Sequence, residues 1–323
     1  MEIQGIKNLH IIAKTSYPII TAYEFEFLKT EEEIKALLKP STIYFIVQRP
    51  LIYISNLTLK NGVIYFEIKD NLKNKPLECS IDPAENNFSA PDKDLLVSLH
   101  FYKNIPDKKE PFNDIAAIKL YNTENEFIVW YTPQKIIYEH LSGSLKVHIN
   151  GSIKEYIDYH VHYIGQSFSQ NIWDRLTGHE KMQAVLTKEN IINNKASKNS
   201  FEISLILLEV EGYDEIKIMP YYEWLVPNAT KPLLFNLETE EDIEKFYLPL
   251  LKTNASELTN EIEALLINSF KPEYNNILFK NYPEIKSGTR SVGYTESKLI
   301  LRMLPAILKT DYHTQGIVVL KNI

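Results

Sequence analysis

Cysteine, glycine and arginine are all scarce in this chain, and each scarcity excludes something. A single cysteine, Cys79, among 323 residues rules out an internal disulfide framework and any paired-cysteine metal site, and suits a reducing compartment. Ten glycines argue against loop-rich architecture, and no Walker motif, dinucleotide-binding glycine pattern or HExxH zinc helix is present. No apolar run approaches the roughly 18 residues of a membrane helix, so no membrane partner is expected. The opening MEIQGIKNLHIIAKT has an early acid and no apolar signal core, so a cytoplasmic location is expected. Only four of the 35 basic residues are arginine: Arg49, Arg175, Arg290 and Arg302. Lysine serves wherever any positive charge will do, so an arginine suggests a need for its planar fork, which grips phosphate oxygens in two places.

Tyrosine, by contrast, is plentiful, at 20 residues, and favours extended, aromatic-rich strands. The length implies two domains, or three. The net charge of −7 argues against a surface that coats nucleic acid, yet from Lys280 to Lys321 seven cations face three acids. Such a local basic tail could track a phosphate backbone.

Along the chain, Thr30 and Glu33 form a capping box that predicts a short helix ending before Pro40. TIYFIVQ, LIYISNLTLK and VIYFEIKD predict strands, the last two joined by Asn61-Gly62, a strong hairpin signal. Residues 73–93, polar and rich in proline and asparagine, predict a loop. DLLVSLHFY is compatible with helix or strand, and AAIKLYN and EFIVWYT read as strands. The expected division is α+β: a β-rich domain over 1–120, then a second domain over 121–323. Within the latter, SLKVHING and VHYIGQS read as strands, IWDRLTGHEKMQAVLTKEN as a helix and FEISLILLEVEG as a buried strand. An insertion is expected at 213–255. Ser256 caps a helix, ELTNEIEALLINSF, that stops at Lys271-Pro272. ESKLILRMLPAILK predicts one more helix, and GIVVLKN a last strand.

The stretch VHYIGQSFSQNIWDRLTGH, Val161 to His179, organises these elements. A strand ends at Gly165, and Arg175 and His179 lie four apart on one face of the helix that follows. A cation and a titratable ring aimed back at a Tyr-Ile-Gly strand end suggest a phosphate site. On the later helix, Glu263 falls between Phe270 and Ile267 at the edge of the apolar stripe, where an uncompensated carboxylate is costly. Such a carboxylate usually has a cation or a metal beside it. Glu257 and Glu261 fall beside Asn260 and Asn268, on the expected solvated face.

In order, spacing and element type these residues resemble the GIY-YIG nuclease family, over about residues 144–282. Tyr163-Ile164-Gly165, followed by Gln166-Ser167, matches the Tyr-Ile-Gly strand end. Arg175 and His179 match the Arg-x-x-x-His of the restriction-enzyme-like branch, and Glu263-Ala-Leu-Leu266-Ile267 matches the metal-binding helix, with Pro272 and Asn275 beyond. The first motif, Gly-Ile-Tyr, is not present as written. KVHIN places His148 where its tyrosine is expected, and Tyr138, Tyr156 and Tyr159 are alternative phenols.

The resemblance implies a small mixed sheet flanked by helices, with the basic tail as an extension, and phosphodiester hydrolysis with one divalent ion. Glu263 would hold Mg²⁺ or Mn²⁺, and Arg175 would stabilise charge on the phosphate. Tyr163, with His179 or His148 as proton partner, would orient or deprotonate water. Gly165, Gln166, Ser167, Asn275 and Lys280 would meet substrate. The expected function is an endonuclease acting on DNA, RNA being a further candidate, in restriction or phage defence, with a homodimer as the assembly that serves both strands. The alternative is a catalytically silent GIY-YIG fold that binds nucleic acid or protein.

Overall fold

A computed structural model describes residues 8–15, 17–21, 24–25, 28, 30–72, 75–88, 94–102, 109–167, 175, 201–214, 239, 255–292 and 294–316. Most of the helix expected from Ile172, with His179, lies outside the described residues, as do nearly all of the expected insertion and of GIVVLKN. The architecture is α+β and mostly sheet.

Its centre is strand β3, Ser41–Pro50. STIYFIVQRP is a near-continuous apolar run, the pattern of a strand covered on both faces rather than one. Ile43, Phe45 and Val47 enter one core and Tyr44 and Ile46 the other, all fully buried. β3 is flanked by two antiparallel neighbours, β11 (Asp158–Gln166) and β12 (Phe201–Asp214). Around them the first sheet continues through β1 (Asn8–Lys14), β2 (Ile20–Thr21), β13 (Glu296–Arg302), β14 (Ile307–Lys309) and β15 (Thr314–Gln315). Its order is β13-β1-β12-β3-β11-β14-β15, with β2 on β12. It is mixed, as expected, but with eight strands it is not small.

The second sheet holds β4 (Ile52–Lys60), β5 (Val63–Asp70), β6 (Leu77–Ile81), β7 (Leu96–Phe101), β8 (Ile115–Tyr121), β9 (Phe127–Tyr131) and β10 (Val147–Asn150). β4 and β5 form the expected hairpin, Lys60 opposite Val63, with Asn61 and Gly62 both at positive φ (52° and 78°). That is the primed turn matching strand twist. β6 corrects the expected loop at 73–93: LECSI alternates in burial and pairs with both β5 and β10.

Everything from β4 to β10 therefore lies, in sequence, between two strands that are neighbours in the first sheet. The boundary expected near residue 120 does not divide the sheets, because β1 to β3 belong to the first and β9 and β10 to the second. A single apolar core joins the two sheets.

Among the described residues, three α-helices are bounded. α1, Glu32–Leu38, starts inside the anticipated capping box, with Glu31 at the cap position and no side-chain cap bond. α2, Pro133–Ser142, was not anticipated, although its signals are plain. Thr132 accepts from the Lys135 amide, Pro133 sits in the first turn, and Gly143 closes the helix at φ 77°. α3, Ala255–Phe270, packs Leu258, Ile262, Leu266, Ile267 and Phe270 into the large core. It stops at Lys271, φ 48°, just before Pro272.

ESKLILRMLPAILK is not a helix. Glu296–Arg302 is a strand of alternating exposure, in parallel register with β1, and Ile307–Lys309 is another on β11. Pro305 stands between them, where it would break a helix.

Candidate active site

The site forms where β11 leaves β3. A bulge separates Val161, opposite Val47, from Tyr163, opposite Ile46. Side chains alternate faces along a strand, so residues 161 and 163 would normally share one; an extra residue at the bulge switches that phase. Val161 thereby joins the large core, while Tyr163 turns to the opposite face, beside Tyr44.

The two tyrosine rings lie 6.0 Å apart at 37°, and Tyr44 is opposite Gly165. A Cβ at Gly165 would stand 2.6 Å from the Tyr44 hydroxyl and 2.7 Å from the Tyr163 ring. The glycine is thus needed for the close approach of the two phenols, not for its backbone freedom.

Arg175, helical and exposed, hydrogen-bonds the Tyr44 hydroxyl. Burial raises the Tyr44 phenol well above its usual range, and the guanidinium partly opposes that. The Tyr44 and Tyr163 hydroxyls also hydrogen-bond each other. Burial also raises the Tyr163 phenol, with the Glu263 carboxylate adding to the rise. Four of these groups thus interact: two phenols, one guanidinium and one carboxylate.

Glu263 reaches this cluster from α3. Burial pushes its carboxyl up to about 7, with opposing help from the Gln166 hydrogen bond and from Arg175. Gln166, the last residue of β11, donates from Nε2 to Glu263 Oε2 at 2.8 Å and to Asn260 Oδ1 at 2.9 Å. Among the described residues no other hydrogen bond reaches Glu263.

The remaining expected residues take several roles. Asn275 accepts from the Ile164 amide at 3.0 Å and donates to the Ile164 carbonyl at 2.8 Å, so it clamps the backbone between the second tyrosine and the glycine. Ser167, buried, ties its amide and hydroxyl to the Thr42 and Ser41 carbonyls. Lys280 is exposed on the segment after α3. His148 lies elsewhere. It is on β10 in the second sheet, exposed and opposite Ser80, and no described hydrogen bond joins it to Tyr163 or Glu263. Tyr156 donates to the Lys75 carbonyl, Tyr159 packs under Arg49, and Tyr138 is on α2.

Tyr44 is the residue that sequence reading missed. Thr42-Ile43-Tyr44 matches two positions of Gly-Ile-Tyr, but it lies 119 residues before Tyr163 (163 − 44), far outside the stretch searched for a partner strand.

The expectation that Glu261 is solvated is corrected. It is fully buried, accepting from the Tyr282 hydroxyl at 2.9 Å and the Thr289 amide at 3.3 Å, with Arg290 at 3.9 Å. The segment folded back over α3 covers a face that is polar in sequence. Glu257 is likewise half-buried.

Compared with protein-family models, with curated proteins and with solved structures, the chain matches none. The functional reading therefore stands on the site itself.

Proposed function

We propose that this chain is a metal-dependent phosphodiesterase of GIY-YIG type, acting as an endonuclease on DNA. The observation that carries the reading is the joining of Tyr44 and Tyr163 across Gly165, with Arg175 and Glu263 beside them. This pairs a Thr-Ile-Tyr strand with a Tyr-Ile-Gly strand, antiparallel and adjacent.

The residues fit a Mg²⁺ or Mn²⁺ ion. Glu263 offers one carboxylate oxygen, and among the described residues no three His, Cys, Asp or Glu side chains converge. A hard ion that keeps most of its waters takes one or two carboxylates and completes its shell with substrate phosphate. When bound, it would neutralise charge on the phosphate and lower the pKa of a water.

The chain's own groups supply the rest. Arg175 stabilises negative charge developing on the phosphate oxygens. Tyr163, hydrogen-bonded to Tyr44, orients the attacking water. Asn275 and Ser167 hold the strand that presents these phenols. A two-fold homodimer would serve both strands of a duplex, and restriction or phage defence suits such an activity.

A second reading, a silent fold that binds nucleic acid or a protein, is favoured by the raised Glu263 carboxyl, a group half protonated near neutrality. Plasmid DNA incubated with Mg²⁺ or Mn²⁺, wild type beside Glu263→Ala, decides between them. Nicking or linearisation that disappears in the variant is expected. DNA that is retarded on a gel yet never cut establishes the binding module.

A further inference from the structure

We infer that Gln166 and Asn260 are positioning residues whose side-chain amides tie the Glu263 carboxylate to both the Tyr-Ile-Gly strand and the segment that follows α3. The inference rests on the proposed role of Glu263 as metal ligand.

The line of bonds is continuous. The Ser287 carbonyl accepts from Asn260 Nδ2 at 3.1 Å. Asn260 Oδ1 accepts from Gln166 Nε2 at 2.9 Å, and the same nitrogen donates to Glu263 Oε2 at 2.8 Å. An amide nitrogen carries two hydrogens, so Gln166 commits both of them inward. That commitment sets it apart from a substrate contact. Asn260 and Glu263 are three apart on α3, hence on one face, and Gln166 closes the triangle from the end of β11.

The far end of the line is well fixed. Segment 278–290 is held against α3 by Asn268 Nδ2 on the Phe279 carbonyl at 2.9 Å, and by buried Glu261 on Tyr282 and Thr289. The Ser287 carbonyl is therefore a firm reference point, with exposed Lys286 beside it. A neutral amide places the carboxyl group without pairing it to a charge, as an arginine or lysine in the same position would. Hydrogen bonds of this kind behind a metal ligand fix its orientation, and their loss typically lowers affinity about 10- to 100-fold.

The test is Mn²⁺ titration of the full chain, followed by electron paramagnetic resonance, with crystal structures of wild type and Gln166→Met. Methionine keeps the length of the side chain and removes both donors. Gln166→Met is expected to weaken Mn²⁺ binding about tenfold or more and Asn260→Ala about threefold. Asn268→Ala, which loosens the segment at a different point, leaves affinity unchanged. In the crystals the Glu263 carboxylate is expected to leave its wild-type rotamer. Wild-type Mn²⁺ affinity in Gln166→Met overturns the inference. If wild type binds no Mn²⁺, the metal reading falls instead. The crystals then decide: an unmoved carboxylate in Gln166→Met overturns the positioning role, and a displaced one upholds it.

Discussion

The two ends of strand β3 carry opposite solutions to the same problem. At one end Arg49 meets Glu202 at 3.0 Å, with side chains 1% and 7% exposed, and Gln134 and Tyr159 pack against the guanidinium. At the other end Tyr44 meets Arg175, which is exposed, and Glu263 is only half-buried. Burial raises both carboxyls and an arginine pulls each back, yet only Glu202 is in direct contact with its cation. A raised carboxyl is thus no signature of function. What separates the two is exposure: Arg49 and Glu202 are in direct contact and buried, whereas Arg175 is exposed and Glu263 half-buried.

The largest expected effect falls on the open end. Glu263→Gln should lower metal-dependent cleavage on the order of 10³-fold, with a melting temperature close to wild type, read by plasmid nicking and calorimetry in parallel. Arg49→Met inverts that pattern. Removing one partner of a buried pair leaves an uncompensated charge and should cost about 3–5 kcal/mol of stability. Cleavage per folded molecule stays near wild type, and Glu202→Leu added to Arg49→Met restores much of the loss. An Arg49→Met protein as stable as the parent would abolish the distinction between the two ends.

The next effect is pH dependence. The folded carboxyl of Glu263 is raised from 4.5 to about 7, so the folded state holds a proton that the unfolded state has released. Its contribution is fully present below pH 4.5 and is lost as pH climbs through 7. Discounted for partial exposure, the fall is about 2 kcal/mol. Glu263→Gln, neutral throughout, should flatten that part of the curve, seen in denaturant titrations from pH 4 to 8. Identical pH slopes for the two proteins would show that the group is not strained in the fold.

Smallest is Tyr44→Phe, which deletes the hydroxyl linking Arg175 to Tyr163. It should slow cleavage about tenfold, equivalent to roughly 1.4 kcal/mol, and change stability by about 1 kcal/mol. Steady-state rates on a defined duplex measure it, and a rate equal to wild type removes Tyr44 from the site.

Local pattern made much of this legible. The Asn61-Gly62 hairpin, the long strand at 201–214 and the helix ending before Pro272 follow from turn chemistry, apolar periodicity and proline. Glu263 was found because a carboxylate stood at the edge of an apolar stripe. Two features escaped because they arise between distant segments. The bulge that turns Tyr163 toward Tyr44 has no glycine to announce it, and Tyr44 itself reads as one more aromatic in a buried strand. Glu261 looked solvated because a helical wheel knows only its own helix. The segment that buries it arrives some 20 residues later. ESKLILR was misread as helix because apolar and polar residues alternate over too few positions to separate the two periods.

Tyr44 and Tyr163 are neighbours in space with the whole second sheet strung between them in sequence. Bringing the ends of a connection of this length together costs about 2 kcal/mol more chain entropy than closing a ten-residue hairpin. Contacts so far apart in sequence form late and slowly. Once its own strands have paired, the second sheet shortens that closure by fixing its two ends, Ile52 and Asn150. A nascent chain therefore has no assembled pair of tyrosines until the intervening strands have found each other, so the cleavage proposed for this site would switch on only after folding is nearly complete.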